Sequence, residues 1–397
     1  MIRTISVRNF KSLKAFRLDL NHNTALVGLN GAGKSTFLQA LSFLSAAMSG
    51  TVKEWLSTRT WDKAELHGGL PPGDADALMT FSVDLEVSTG FLRWEGVCDT
   101  TLNDVRCIKE VVVHSSTPGF DPADSRIVWS QDGKSFRGHG QPLMEIAQGY
   151  QGSLLSSLFE NLLPAECVEL KKCLAGIRSL DLLSSSDLRA PAKLNASAPD
   201  RDVGVRGERI AAFLHHQSEE WIHEKLVLQL QKFFPNVTGL RTGFVAHNMV
   251  QLYVRERFDG HELEIPSTHC PDGLLRVLAL LAEMRCADGL LCLDEIENGL
   301  CMDVLDKLMR SLPKMRRQIL FTTQSVIALN YVAREDVRIL YRDRLGGTRS
   351  GLLADLKENR KYIDFYEEPG DALYFTSLVK ASAELRDGLK TGDDVTV

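Results

Sequence analysis

No two of the eight cysteines are spaced as C-x-x-C. The paired spacing of a zinc ribbon or a redox dithiol is missing, and with it the argument for a structural metal. The thiols at 98, 107, 167, 173, 270, 286, 292 and 301 are read as buried and free in a reducing compartment. No apolar run approaches the length of a membrane span. The opening Met1-Ile2-Arg3-Thr4-Ile5 lacks the basic-then-apolar layout of a secretion signal. A basic excess is also missing: the formal charge is −6, which excludes a coat for nucleic acid built on bulk charge. Internal repeats and low-complexity tracts are absent, which removes solenoids and disordered arrays. These absences leave an expectation of a soluble, cytoplasmic globular protein. At 44% hydrophobic and 25% charged, 397 residues suffice for two or three lobes with cores of their own.

What is present is Gly28-Leu29-Asn30-Gly31-Ala32-Gly33-Lys34-Ser35-Thr36. It fits the P-loop pattern G-x-x-x-x-G-K-[ST]. Residues 24–27 before it read as a buried strand, and residues 37–44 after it as an apolar helix. Glycines there let successive N–H groups curl into an anion nest, and the helix N-terminus adds partial positive charge. In that reading Lys34 reaches the β- and γ-phosphates of a nucleotide and Ser35 ligates Mg²⁺, with Asn30, Gly31, Gly33 and Thr36 completing the cradle.

Strand and helix signals alternate along the rest of the chain. Residues 2–7 and 15–20 precede the P-loop strand, and strand-like runs at 78–87, 91–98, 106–114 and 126–130 follow. Asp132-Gly133 marks a tight hairpin. Helical patterning covers 153–188, broken at Pro164, and resumes from 208 to 235. That length is too short for a coiled-coil arm. Strands at 237–247, 249–257 and 261–265 lead to an apolar helix at 270–284. A buried strand then ends in Asp294-Glu295, the Walker B arrangement. There Asp294 serves the metal, and Glu295 orients or deprotonates the attacking water. A strand at 318–323 follows, and the tail carries a helix near 373–386. The pattern is α/β, with a parallel sheet around the P-loop.

The run Asp294-Glu295-Ile296-Glu297-Asn298-Gly299-Leu300 resembles the D-E-x-E-N-G-L of RecF/SMC-like ABC-type ATPases. Asn9-Phe10-Lys11-Ser12-Leu13 is similar to their N-F-K-S-[LF] opening. Cys270-Pro271-Asp272-Gly273-Leu274-Leu275-Arg276 stands where they carry the signature S-D-G-x-x-R, and Thr323-Gln324-Ser325 where they carry the switch T-H-S. Residues 205–214 resemble a helix start of stand-alone bacterial members of the AAA family, the kind found in anti-phage defence systems. The resemblance implies an ABC/SMC-type P-loop NTPase head with an antiparallel β lobe, a mixed or parallel core sheet and a helical insertion. The expected division is a nucleotide-binding lobe at 1–150, the helical insertion at 151–235, a lobe with signature, Walker B and switch at 236–345, and a mixed tail at 346–397.

The same resemblance implies that two copies sandwich two ATP molecules. Lys11 and Ser12 then join the cofactor-binding set, Asp272 and Gly273 meet the γ-phosphate of the other copy, and Asn298 and Gly299 form a D-loop crossing the homodimer. Gln324 joins Lys34 and Glu295 in the catalytic set. Two departures stand out. Pro271 replaces a serine and removes a backbone donor, unless it simply opens the helix. Gln324 replaces a histidine and cannot become cationic. Both point to a slow ATPase that uses ATP as a clamp. Three roles follow: a sensor or regulator of a separate effector such as a nuclease or toxin, a repair ATPase acting on DNA, or a module that binds ATP with little hydrolysis. A local +5 charge over residues 300–350 gives the DNA reading its one support. Asp74-Ala75-Asp76 is read as loop rather than nuclease acid. His215, His216 and His223 are read as core or surface rather than metal ligands, and Trp221 as core. Arg316-Arg317 is read as a solvated helix end. Gln131, Gln141 and Gln148 all remain open for the Q-loop.

Overall fold

The computed structural model describes residues 1–67, 78–146, 149–181, 183–195, 202–286, 289–356, 364–366 and 368–388. They fall into two compact units, Met1–Arg178 with Gln318–Val397, and Ser179–Arg317.

The first unit opens with β1 (Ile2–Phe10) and β2 (Leu13–Asp19), which alternate apolar and polar residues and pair antiparallel from Thr4↔Asp19 to Phe10↔Leu13. After β3 (Asn23–Val27) come α1 (Lys34–Ser49) and α2 (Val52–Arg59). Then β4 (Met79–Val87), β5 (Gly90–Asp99), β6 (Arg106–Ser115), β7 (Ser125–Gln131), β8 (Ser135–Gly138) and β9 (Met144–Glu145) complete a sheet in the order β2-β1-β4-β5-β6-β7-β8-β9. The Asp-Gly turn joins β7 to β8, with Gly133 at φ 85°. Helix α1 is apolar on nearly every side, so it is buried rather than amphipathic. Its Phe43 ring lies 5.9 Å from Phe10 and 5.5 Å from Phe81, and its Phe37 lies 4.9 Å from Phe16. These rings seat the P-loop helix on the antiparallel sheet. The helices α3 (Leu154–Ser157) and α4 (Ala165–Ala175) pack against α1, and α4 also meets β5 and β7.

A carboxylate sits in this core. Glu110 is fully buried and accepts hydrogen bonds from Trp94 Nε1 (3.1 Å), Gln131 Nε2 (3.0 Å), Leu154 N–H (2.8 Å) and the Ser153 hydroxyl. A buried carboxyl without such donors would be strongly destabilising.

In the second unit, strands Val237–Ala246, Met249–Phe258 and His261–Pro266 form an antiparallel meander. Its Val250, Leu252 and Val254 are fully buried and lie under the helix Ile210–His215. The single helix expected over 208–235 is interrupted. Ser218 is extended (φ −69°, ψ 151°) and its hydroxyl accepts the Trp221 N–H at 3.1 Å. A serine offered as an N-cap restarts the helix there, and a π-helical stretch, Ile222–Val227, follows. Next come the helix Asp272–Cys286, the wholly buried strand Leu290–Leu293 and the helix Met302–Ser311. Arg317 closes the C-terminal end of the first of these helices. Its guanidinium donates to the carbonyls of Glu283 (2.7 Å) and Gly289 (3.3 Å).

The chain then returns to the first unit. Strands Gln318–Thr322 and Val337–Arg342 flank β3 in parallel (Ile319↔Asn23, Val337↔Ala25), and Thr348–Leu352 runs antiparallel to the latter. All of Gln318–Thr322 is buried, as parallel strands covered on both faces should be. The Gln318 amide donates to the carbonyls of Ile2 (2.7 Å) and Asn21 (2.9 Å) and so ties both ends of the N-terminal hairpin to this sheet. The tail helix expected near 373–386 is two helices, Pro369–Thr376 and Leu378–Asp387. They are parted at Ser377, whose φ is 69°.

Candidate functional site

The P-loop backbone is unusual at two glycines. Gly31 and Gly33 hold φ values of 77° and 107°, which side-chain-bearing residues avoid. Gly28 answers a different demand: a β-carbon on it would lie 2.4 Å from the Leu340 carbonyl oxygen. The Ala32 N–H donates to the Leu29 carbonyl at 3.0 Å and closes the loop. The first-turn N–H groups of α1 have no partner within the helix, and the helix dipole adds to them, so this end is suited to an anion. Lys34 is buried, with Nζ donating to the Gly28 carbonyl at 2.7 Å and to that of Leu29 at 3.4 Å. Asn30 and Ser35 are exposed and Thr36 is half-buried.

Residues distant in sequence gather at this loop. Gln324 Nε2 donates to Asn30 Oδ1 at 3.3 Å, so the switch position meets the loop. Lys11, itself at φ 48°, places Nζ 3.1 Å from the centroid of the Trp61 ring and donates to Gln39 Oε1 at 3.1 Å. Gln39 lies one turn beyond Ser35 on α1. Ser12 is buried, and its hydroxyl pairs with Thr348 Oγ1 at 2.8 Å. Thr348 Oγ1 donates to the Ala32 carbonyl at 3.1 Å, so Ser12 acts behind the loop. Arg342 Nε donates to the Gly31 carbonyl at 2.7 Å. Sequence reasoning missed Arg342 and Thr348, because nothing local marks them.

The second unit holds the acidic turn. The buried strand ends in half-buried Asp294 and exposed Glu295. Glu295 has φ 47°, a conformation that costs a non-glycine residue about 1–3 kcal/mol and that clusters at functional sites. The Asn298 N–H closes the turn on the Glu295 carbonyl at 2.9 Å. Arg276, on the helix Asp272–Cys286, lines one cleft with Leu293, Asp294, Glu295 and Leu300. Burial lowers its pKa, opposed by the charges of Asp272 and Glu295. At the start of that helix, Pro271 and Asp272 are exposed and Gly273 half-buried. The Pro271 carbonyl accepts the Leu275 N–H at 3.3 Å, which places the proline at the helix start. Arg189 steadies the turn, with Nη2 2.5 Å from Asp272 Oδ1 and 3.0 Å from the Cys270 carbonyl.

Other candidates go elsewhere. Gln131 is buried, donating to the Cys107 carbonyl at 2.8 Å and to Glu110. The Gln141 N–H donates to the Gly138 carbonyl at 3.0 Å. Gln148 and the Asp74-Ala75-Asp76 run lie outside the described residues. His215 shares a hydrogen bond with Thr242 Oγ1 at 2.9 Å and packs on Phe244, while His216 and His223 are exposed. Trp221 is half-buried against Phe213. Among the described residues no cluster of His, Cys, Asp or Glu is arranged to hold a metal. Cys301 is exposed and Cys173 half-buried, against the expectation of buried thiols. Cys301 stands at the start of the helix Met302–Ser311, just past the acidic turn. The +5 segment is largely engaged within the fold. Arg317 caps a helix and is buried rather than solvated; Arg310 pairs with Asp306, and Arg349 with Asp343. Arg338 reaches the Asp19 carbonyl. Among the described residues no helix is long and apolar enough to cross a membrane.

A sequence profile described as "AAA domain, putative AbiEii toxin, Type IV TA system" matches residues 123–330, more than half of the chain. A second, described as "AAA ATPase domain", matches residues 1–67. An SMC head bound to the C-winged helix domain of ScpA is similar in structure over 91% of this chain and 99% of its own, with TM-score 0.50 at 12% identity. The SMC head domain from Thermotoga maritima is similar over 89% of this chain and 98% of its own, with TM-score 0.46 at 11% identity. At 12% identity the first of these likenesses is one of fold alone, the α/β fold of an SMC head. No curated protein matches the sequence.

Proposed function

The chain belongs to the AAA-domain family matched over residues 123–330 and is an ATP-binding ATPase; from that premise we propose that two copies close around ATP and that the closed pair regulates a separate effector. In this reading Asn30, Gly31, Gly33, Lys34, Ser35 and Thr36 bind the phosphates, with Lys34 leaving the Gly28 carbonyl for the β- and γ-phosphates. Lys11 adds a contact over the first turns of α1. Ser35 and Asp294 are the residues that would hold Mg²⁺, which neutralises charge on the transferring phosphoryl group. Glu295 takes the proton of the attacking water. Gln324, tethered to Asn30, donates one hydrogen bond where a cationic histidine would donate a charged one. Pro271 offers no N–H at the signature turn. Both substitutions favour slow turnover and long-lived closure.

One observation supports pairing above others. The signature turn at Asp272 and Gly273 lies at the surface of its unit and abuts the turn that follows Glu295. A second copy docking its nucleotide there would touch both elements at once. The separate effector is proposed from the family description, which names a toxin–antitoxin system, and from the solved head that carries a domain of another protein. A nuclease or toxin in bacterial anti-phage defence fits that pattern. Direct action on DNA is the weaker reading, since Arg317, Arg338 and Arg349 of residues 300–350 are committed to carbonyls inside the fold and the exposed Arg310 is paired with Asp306.

The experiment is steady-state hydrolysis of wild type, Lys34→Ala and Glu295→Gln. Slow wild-type turnover, lost in both variants while Glu295→Gln still binds ATP, supports the reading. Turnover unchanged in Glu295→Gln contradicts it.

A further inference from the structure

Behind the P-loop stands a hairpin made of the strands Val337–Arg342 and Thr348–Leu352. Its first strand runs parallel to β3, with Ile339 opposite Val27, and so leads its end along the loop. The hairpin meets the loop at three places. The Leu340 carbonyl packs against Gly28 so closely that no β-carbon fits between them. Arg342 Nε donates to the Gly31 carbonyl at 2.7 Å, and Nη1 of the same guanidinium donates to the Gly346 carbonyl at 2.8 Å. Thr348 Oγ1 donates to the Ala32 carbonyl at 3.1 Å and fills the space where a Gly33 side chain would be. The tip is itself braced. Asp343 accepts the N–H groups of Leu345 (3.0 Å) and Gly347 (2.7 Å) and pairs with Arg349 at 3.0 Å.

We infer that Arg342 and Thr348 are positioning residues for nucleotide binding, holding the P-loop in its anion-receiving shape before the nucleotide arrives. The physical reason lies in peptide planarity. In a trans peptide the C=O and the next N–H point in opposite directions. Drawing the Ala32 carbonyl towards Thr348 turns the Gly33 N–H away from the hairpin, towards the mouth of the loop. Drawing the Gly31 carbonyl towards Arg342 orients the Ala32 N–H, which locks the loop on the Leu29 carbonyl. A glycine-rich loop without these holds would have to be ordered by the ligand, at a cost in affinity.

The inference rests on the ATP reading above and has its own signature. The loop's N–H groups serve phosphates that ATP and ADP share, so loss of positioning weakens both nucleotides alike. Binding of ATP and of ADP is measured by titration calorimetry for wild type, Arg342→Gln, Arg342→Lys and Thr348→Val, with thermal melting to establish folding. Arg342→Gln should raise both dissociation constants by roughly tenfold or more, the loss expected for one charge-assisted hydrogen bond. Arg342→Lys should recover part of that, and kcat at saturating ATP should change little. Thr348→Val keeps the shape of the side chain and should weaken both nucleotides by a smaller, equal factor. It carries the same test if Arg342→Gln does not fold. Weakening of ATP alone would mean a direct terminal-phosphate contact and overturns the inference, as does unchanged binding in folded variants. A wild type that binds neither nucleotide overturns the ATP reading itself.

Discussion

Gly273 and Gly299 stand so close that a β-carbon on Gly273 would lie 2.9 Å from the Gly299 carbonyl oxygen. The signature turn and the turn after Glu295 therefore share one backbone contact. Gly299 is in turn held at φ 71° with the Arg276 side chain against it. Gly273→Ala should destabilise the protein by about 1–3 kcal/mol, the usual range for overpacking against a neighbour that cannot yield. It should also abolish ATP-driven pairing while leaving ATP binding at the P-loop close to wild type. Chemical denaturation and nucleotide titration of the variant check both parts.

Two P-loop glycines should respond differently to alanine. Gly31 has open space around its missing side chain, so Gly31→Ala should cost about 1–2 kcal/mol, from its positive φ alone. Gly33 has positive φ and Thr348 Oγ1 2.2 Å from the β-carbon position. Gly33→Ala should cost more than Gly31→Ala in urea midpoint and should lose nucleotide binding altogether. Equal midpoints for the two variants contradict the role given to Thr348.

Two glutamates should shape the acid side of the stability profile with opposite signs. Hydrogen bonds from Arg241 and then Arg255 hold the Glu264 carboxyl down to about 2, from an ordinary 4.5. Its folded value is below its unfolded one. Its contribution is therefore complete above pH 4.5 and is lost as pH falls from 4.5 towards 2. The amplitude should be small, because the pair is partly exposed. Burial raises the Glu110 carboxyl above 4.5 against the pull of its hydrogen bonds, so this group lowers stability as pH rises through 4.5 and beyond. Urea midpoints taken from pH 2 to neutrality should show Glu264→Gln flattening the first slope and Glu110→Gln removing the second.

Cys301 is an exposed thiol two residues past Gly299. Cys98, Cys107, Cys167, Cys270 and Cys292 are buried. Burial also raises the thiols of Cys107, Cys167 and Cys292, and pushes that of Cys270 up to about 11, which slows their reaction with maleimide. In the native protein maleimide should label Cys301 first, as peptide mapping reads. A short bis-maleimide should join two chains of Glu295→Gln with ATP and fail without it. Cys301→Ser should remove the product. Cross-linking that ignores ATP contradicts a nucleotide-closed pair.

The P-loop and the acidic turn were legible because their backbones make local demands. Gly31 and Gly33 must take positive φ, and a buried strand must end where Asp294 can reach solvent. Their order along the chain carried the fold class as well. The break at Ser218 was harder, since an apolar stripe continues on both sides and only the serine marks the N-cap. Arg342 and Thr348 were illegible for another reason. They reach the loop from more than 300 residues away through side-chain bonds to carbonyls, and no residue type advertises that role. The internal use of the +5 segment was illegible in the same way, because Arg317, Arg338 and Arg349 satisfy backbone carbonyls that a sequence does not display.

The most direct test is the mass in solution of wild type, Lys34→Ala and Glu295→Gln, each with and without ATP and Mg²⁺, by light scattering. The predicted result is a chain of 44.2 kDa that doubles in mass with ATP, most persistently in Glu295→Gln and not at all in Lys34→Ala. A Glu295→Gln protein that binds ATP and keeps the mass it has without it contradicts the account.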